Sequence, residues 1–66
     1  MQITVNGEPQ THPDGLSVAD LLAHLDLAGK PCAVEVSKSL VPKRDHAEHR
    51  LAEGDAVEIV TLVGGG

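Results

Sequence analysis

The sequence predicts an α+β domain in which one main helix packs on one face of a mixed sheet of four to five strands. Three observations support this. Segments near the start and middle of the chain alternate apolar and polar residues with the period of a half-buried strand, and the end of the chain carries a largely apolar strand-like run. A single segment repeats its apolar residues with the period of a helix. The order is hairpin, helix, hairpin, strand, so one apolar helical stripe has one sheet face to cover.

The opening QITVN places Ile3 and Val5 on one face and Gln2 and Thr4 on the other. Asn6-Gly7 is a hairpin turn signal, because both residues tolerate positive φ. A second strand over residues 8–12 is edge-like, since Pro9 lacks an N–H for the ladder. Pro13-Asp14-Gly15 reads as a turn, and Ser17 as the residue that caps a helix. Val18, Leu21, Leu22 and Leu25 form its stripe, with Gly29 and Pro31 as its stop. Residues 32–36 alternate as a third strand. Leu40-Val41 begins a fourth that Pro42 cuts short. Residues 43–50 are polar, with one helical turn starting at Asp45 and Leu51 tucked onto the core. The last strand covers residues 56–63 and is largely apolar on both faces, as a central strand would be. The first and last strands are expected side by side in the sheet centre. If Val60 and Leu62 point to the uncovered face, they make a small exposed apolar patch of the kind that marks a partner site.

Composition narrows the function. The 66 residues suffice for one domain, expected to span residues 1–63 with a glycine tail at 64–66. There are no aromatic residues, so no platform exists for stacking bases or sugars. A net charge of -5 disfavours nucleic acid and anionic membranes and suits a basic protein partner. No apolar run approaches the ~20 residues of a membrane span, and the N-terminal segment lacks a secretory pattern. One cysteine makes no internal disulfide, so a reducing cytoplasm is the expected location.

Few residues offer chemistry. Cys32, at the start of a strand, reads as an inert thiol, with no neighbour in sequence to lower its pKa. His46 and His49, with Asp45 and Glu48, supply too few ligands for a structural zinc site, and no metal is expected. His12 and His24 read as solvated surface residues, and Lys43-Arg44 as a solvated turn or a docking element. Phosphate loops, nucleophile elbows and Cys-x-x-Cys pairs are all missing. A chain this small is also expected to lack a ligand-sized pocket of ~300 Å³. Catalysis by the chain alone is not expected.

The terminal TLVGGG has two readings. One is a frayed end. The other is a thin, flexible stalk that presents the α-carboxylate of Gly66, because glycine threads narrow channels and adopts any φ/ψ a partner imposes. A carboxylate is a poor electrophile, so acyl transfer from it requires activation, for example as an acyl-adenylate.

MQITVNG, LSVADLLAHLDL, CAVEVSKSLVPKR and LAEGDAVEIVTLVGGG together resemble the ThiS family, sulfur carriers of thiamine biosynthesis with a ubiquitin-like β-grasp fold. Ser37 departs from the family pattern at a hairpin position where asparagine or glycine is more usual. The resemblance implies that the Gly66 carboxylate is adenylated by an E1-like partner (ThiF) using ATP, with no cofactor bound to the chain itself. A sulfur donor such as a cysteine desulfurase then converts it to a thiocarboxylate, and thiazole synthase (ThiG) takes the sulfur. It also implies that Gly64 and Gly65 thread the partner's active site, that Val60 and Leu62 dock, and that the chain is a co-substrate, not an enzyme. Two alternatives remain at this point. One is a carrier like the small subunit of molybdopterin synthase, although the lack of aromatics favours the thiamine branch. The other is a ubiquitin-like interaction module without chemistry.

Overall fold

The computed structural model describes residues 1–62. Its elements are β1 (Gln2–Val5), β2 (Glu8–Thr11), α1 (Val18–His24), β3 (Cys32–Val36), β4 (Ser39–Val41) and β5 (Ala56–Thr61). Among the described residues the strands form one five-stranded sheet in the order β2-β1-β5-β3-β4. β1 and β5 are neighbours at the centre, as the sequence suggested; they run parallel, and the remaining pairs are antiparallel. This is the mixed-sheet, one-helix β-grasp architecture.

The β1–β2 hairpin closes through Asn6 and Gly7, both at positive φ (51° and 84°), the backbone a two-residue type I′ turn requires. The Asn6 amide does a second job. Its Nδ2–H donates to the Ile59 carbonyl at 3.2 Å, and its Oδ1 accepts from the Ile59 N–H at 2.8 Å. The side chain thereby extends the β1–β5 ladder past the end of β1.

The helix begins where Ser17 predicts. Asp20 N–H donates to Ser17 Oγ at 3.0 Å, and Ser17 N–H donates to Asp20 Oδ2 at 3.2 Å, a reciprocal capping box with aspartate as the returning acceptor. The next two free N–H groups are met from far along the chain. Val18 N–H donates to the His49 carbonyl and Ala19 N–H to the His46 carbonyl, each at 2.9 Å. The polar segment after β4 is thus fixed to the helix start by main-chain bonds. Its regular turn is a 3₁₀ turn at Lys43–Asp45, so it ends at Asp45, where the sequence reading had it begin.

The helix also ends earlier than Gly29 and Pro31 suggested. Asp26 takes a left-handed φ of 64°, Asp26 N–H donates to the Ala23 carbonyl, and Leu27 N–H donates to the Leu22 carbonyl at 2.7 Å. These two bonds are the Schellman pattern, with aspartate in the place usually taken by glycine. Leu27 packs against the core behind the cap. β4 starts at Ser39, one residue before the expected Leu40, and β5 stops at Thr61, leaving Leu62 beyond the strand.

The core lies between α1 and one sheet face. Val18 and Leu21 are fully buried from the helix side, and Val34 and Val57 from the sheet. Leu51 is buried as expected, its N–H donating to the Leu16 carbonyl. Among the described residues, every buried side-chain polar atom has a hydrogen-bond partner. No helix among them is long and apolar enough to cross a membrane.

Candidate functional site

The residues expected to carry chemistry, Gly64, Gly65 and Gly66, lie outside the described residues, as does Val63. The body that holds them is described, and it ends at the sheet centre. β5 runs between β1 and β3, and past its end Leu62 N–H donates to the Pro31 carbonyl at 2.9 Å. The last described residue is thus fastened to the residue just before β3.

Val60 sits on the sheet face that α1 does not cover and is 59% exposed. Strand alternation places Glu58 on the same face, while Val57 and Ile59 point into the core. Leu62 is also exposed, but it lies beyond β5 and lines a cleft on the helix side. The two residues expected to dock together thus stand at different places.

That cleft corrects the expectation that no ligand-sized space exists. It measures about 410 Å³ and lies between the end of α1, the start of β3 and the segment after β4. It is an open depression, so it forms without the enclosing walls a small domain lacks. Leu22, Leu27, Cys32 and Leu62 line it, with Lys30 and Lys43 contributing positive charge. Cys32 is half-buried there. Among the described residues no carboxylate shares the lining.

His46 is buried, and its Nε2–H donates to the Val41 carbonyl at 3.0 Å. The ring is a strut that ties the segment after β4 to the edge strand. Among the described residues, no cluster of three or more His, Cys, Asp or Glu side chains is placed to hold a metal. His12 and His24 are not independent surface residues. Their rings lie 5.7 Å apart, and His12 Nε2 is 2.7 Å from Gln10 Oε1. Sequence reasoning missed this pair because the two residues come from β2's end and the helix end, which only the fold brings together.

The helix cap also displaces the titration of Asp20. The Ser17 N–H, then the Ser17 hydroxyl, and more weakly the charge of Arg50, hold its carboxyl below the usual value.

The ThiS family model matches residues 3–66. The chain is 29% identical over its full length to the sulfur carrier protein ThiS of Escherichia coli, covering all of both chains. It is 35% identical to thiazole synthase of Paramagnetospirillum magneticum, of which it spans 20%. The crystal structure of the thiamine biosynthesis protein ThiS from Geobacter metallireducens superposes with a TM-score of 0.85 at 33% identity, covering 100% of both chains.

Proposed function

The chain belongs to the ThiS family, the sulfur carriers of thiamine biosynthesis, and from that premise we propose that it carries sulfur as a thiocarboxylate on Gly66. One observation carries the reading. The family match does not stop with the folded body but runs through residue 66, and so includes the terminal glycines.

The chemistry follows from the carboxylate. Its oxygen attacks the α-phosphorus of ATP on an E1-like adenylyltransferase, releasing pyrophosphate and leaving an acyl-adenylate. A sulfur nucleophile, supplied as a persulfide by a cysteine desulfurase, displaces AMP. A thiol then attacks the desulfurase cysteine sulfur of the resulting acyl disulfide, breaking the S–S bond so that the thiocarboxylate leaves and the cysteine is held as a mixed disulfide. Thiazole synthase then receives the sulfur. That a thiazole synthase carries a region similar to this whole chain supports such a pairing. Glycine suits all three encounters, since it has no side chain to clash in a narrow channel. The chain is a co-substrate on this reading, and its lone thiol Cys32 suits a reducing cytoplasm.

Intact mass measurement after incubation with ATP, the adenylyltransferase, the desulfurase, cysteine and a reducing thiol tests it. The expected result is a gain matching one oxygen replaced by sulfur, located at the C-terminus. An unchanged mass with competent partners, or a modification on Cys32, overturns it.

A further inference from the structure

The helix-side cleft of about 410 Å³ opens where the described chain ends. Leu62 lines it, and the Leu62 N–H bond to the Pro31 carbonyl holds that wall beside the start of β3. Leu22 is buried, Leu27 and Cys32 are half-buried and Leu62 is 52% exposed, so the apolar lining runs from the core out to solvent. The facing wall is fixed as well. The Ala19 N–H donates to the His46 carbonyl, and the His46 ring bonds the Val41 carbonyl, so the segment that carries Lys43 is held at both sides. Two of the chain's five Lys and Arg side chains line this one depression, with no carboxylate in its lining among the described residues. On a chain of net charge -5 that is a local reversal of sign.

Place, charge and kinship select the occupant. A protein that draws the residues beyond Leu62 into a channel stands against Leu62, and so against the cleft that Leu62 lines. The thiazole synthases of Paramagnetospirillum magneticum and Magnetococcus marinus each contain a region similar to all of this chain, at 35% and 36% identity, which makes up 20% of either protein. A similar body and that enzyme thus share one polypeptide, which keeps their surfaces within reach of each other. Two ammonium groups beside an apolar depression match a large apolar side chain with a carboxylate next to it. A second copy would bring net charge -5 against net charge -5. For the chain's own last residues, the entropy lost in ordering three glycines outweighs what ion pairs at exposed lysines contribute.

We propose that this cleft docks thiazole synthase, which inserts an apolar side chain between Leu27 and Leu62 and sets a carboxylate against Lys30 and Lys43. The proposal rests on the carrier reading, which brings that enzyme to the residues beyond Leu62.

Cys32 is the chain's only cysteine and lines the cleft, so its alkylation reports on the occupant. Alkylation by iodoacetamide, read by intact mass, is followed for the parent alone and with saturating thiazole synthase. Calorimetric titration of the same enzyme compares the parent with Lys30→Glu/Lys43→Glu. The enzyme should slow alkylation at least about tenfold, because a docked side chain closes access to the thiol. The double variant should bind about tenfold more weakly, since like charges then face each other. Both lysines are exposed, so its Tm should stay at the parent's; where it falls, protection of Cys32 in the parent decides. Binding that leaves Cys32 unprotected overturns the proposal, as does undiminished binding by a folded double variant, or no binding by the parent. Protection that grows with the concentration of the chain alone also overturns it, by making a second copy the occupant. The mass measurement on the parent separates the two readings. A parent whose Cys32 is protected by the enzyme but which never gains sulfur defeats the carrier reading alone. A parent that gains sulfur and binds the enzyme with Cys32 unprotected defeats the docking proposal alone.

Discussion

Asn6 and Ile59, 53 positions apart in sequence, are joined by two hydrogen bonds between one side-chain amide and one peptide unit, at 2.8 and 3.2 Å. Asn6 also supplies the positive φ of the β1–β2 turn, so one residue both turns the first hairpin and fastens it to the central strand. Asn6→Gly keeps the backbone freedom and removes the amide. It should cost about 1–3 kcal/mol, since the Ile59 N–H loses its partner in a partly buried place. Asn6→Ala should cost more, because alanine adds left-handed strain. Urea unfolding of both variants checks the order, and equal stability of Asn6→Gly and the parent would refute it.

The β3–β4 hairpin shows the opposite situation. Ser37 and Lys38 both take positive φ, 49° and 71°, without the residues that tolerate it. Left-handed backbone costs roughly 1–2 kcal/mol in a residue with a Cβ and little in glycine. Ser37→Asn/Lys38→Gly should therefore raise stability by about 1–2 kcal/mol with no new contact. A lower midpoint in urea would show that the serine or lysine side chain stabilises the turn.

Asp20 predicts an acid limb to stability. Its folded pKa lies below its unfolded value because the Ser17 N–H bonds the charged form. The contribution is therefore fully present above the unfolded value near pH 4 and is lost as pH falls through the lower folded value. Asp20→Asn should lower Tm at neutral pH and converge on the parent as the pH is lowered from about 5 to 2. Ser17→Ala removes the cap from the other side and should cost about 1 kcal/mol at neutral pH. Parallel Tm curves for Asp20→Asn and the parent over that range would contradict this origin of the shift.

Local signals were legible wherever a residue acts on its neighbours. Asn6-Gly7, Ser17, the alternation of β1 and β3 and the apolar run of β5 each declared their structure, and together they gave the mixed sheet with its first and last strands adjacent. The helix end was not legible, because the Asp26 cap depends on Leu27 finding the core, and Gly29 three positions later gave a stronger local cue. Nor was the role of the segment after β4. His46 and His49 cap the helix through their carbonyls, which any residue type has, so no side chain advertises it. The cleft needed the end of α1, the start of β3 and the segment after β4 together, and Leu62 left Val60's face by lying beyond the strand. The glycines were visible from the start, since their signal is compositional.

The last prediction separates the tail from the fold. Among the described residues the buried core runs from Ile3 to Ile59 and β5 ends at Thr61, so the fold is expected to stand without Gly65 or Gly66. Deleting Gly66 or replacing Gly65 by valine should leave the thermal midpoint of the body within experimental error. Sulfur loading should respond sharply. A β-branched residue has restricted χ1 and backbone freedom and adds bulk next to the reacting carbonyl, where a transition state needs close approach. Gly65→Val should slow loading by at least about tenfold. The Gly66 deletion moves the carboxylate back by one residue, so it should abolish loading while the body stays folded. Time-resolved intact mass spectrometry beside calorimetry gives both readouts. A deletion variant that loads sulfur at the parent's rate would remove Gly66 from the chemistry, and one that unfolds would show that the tail belongs to the fold.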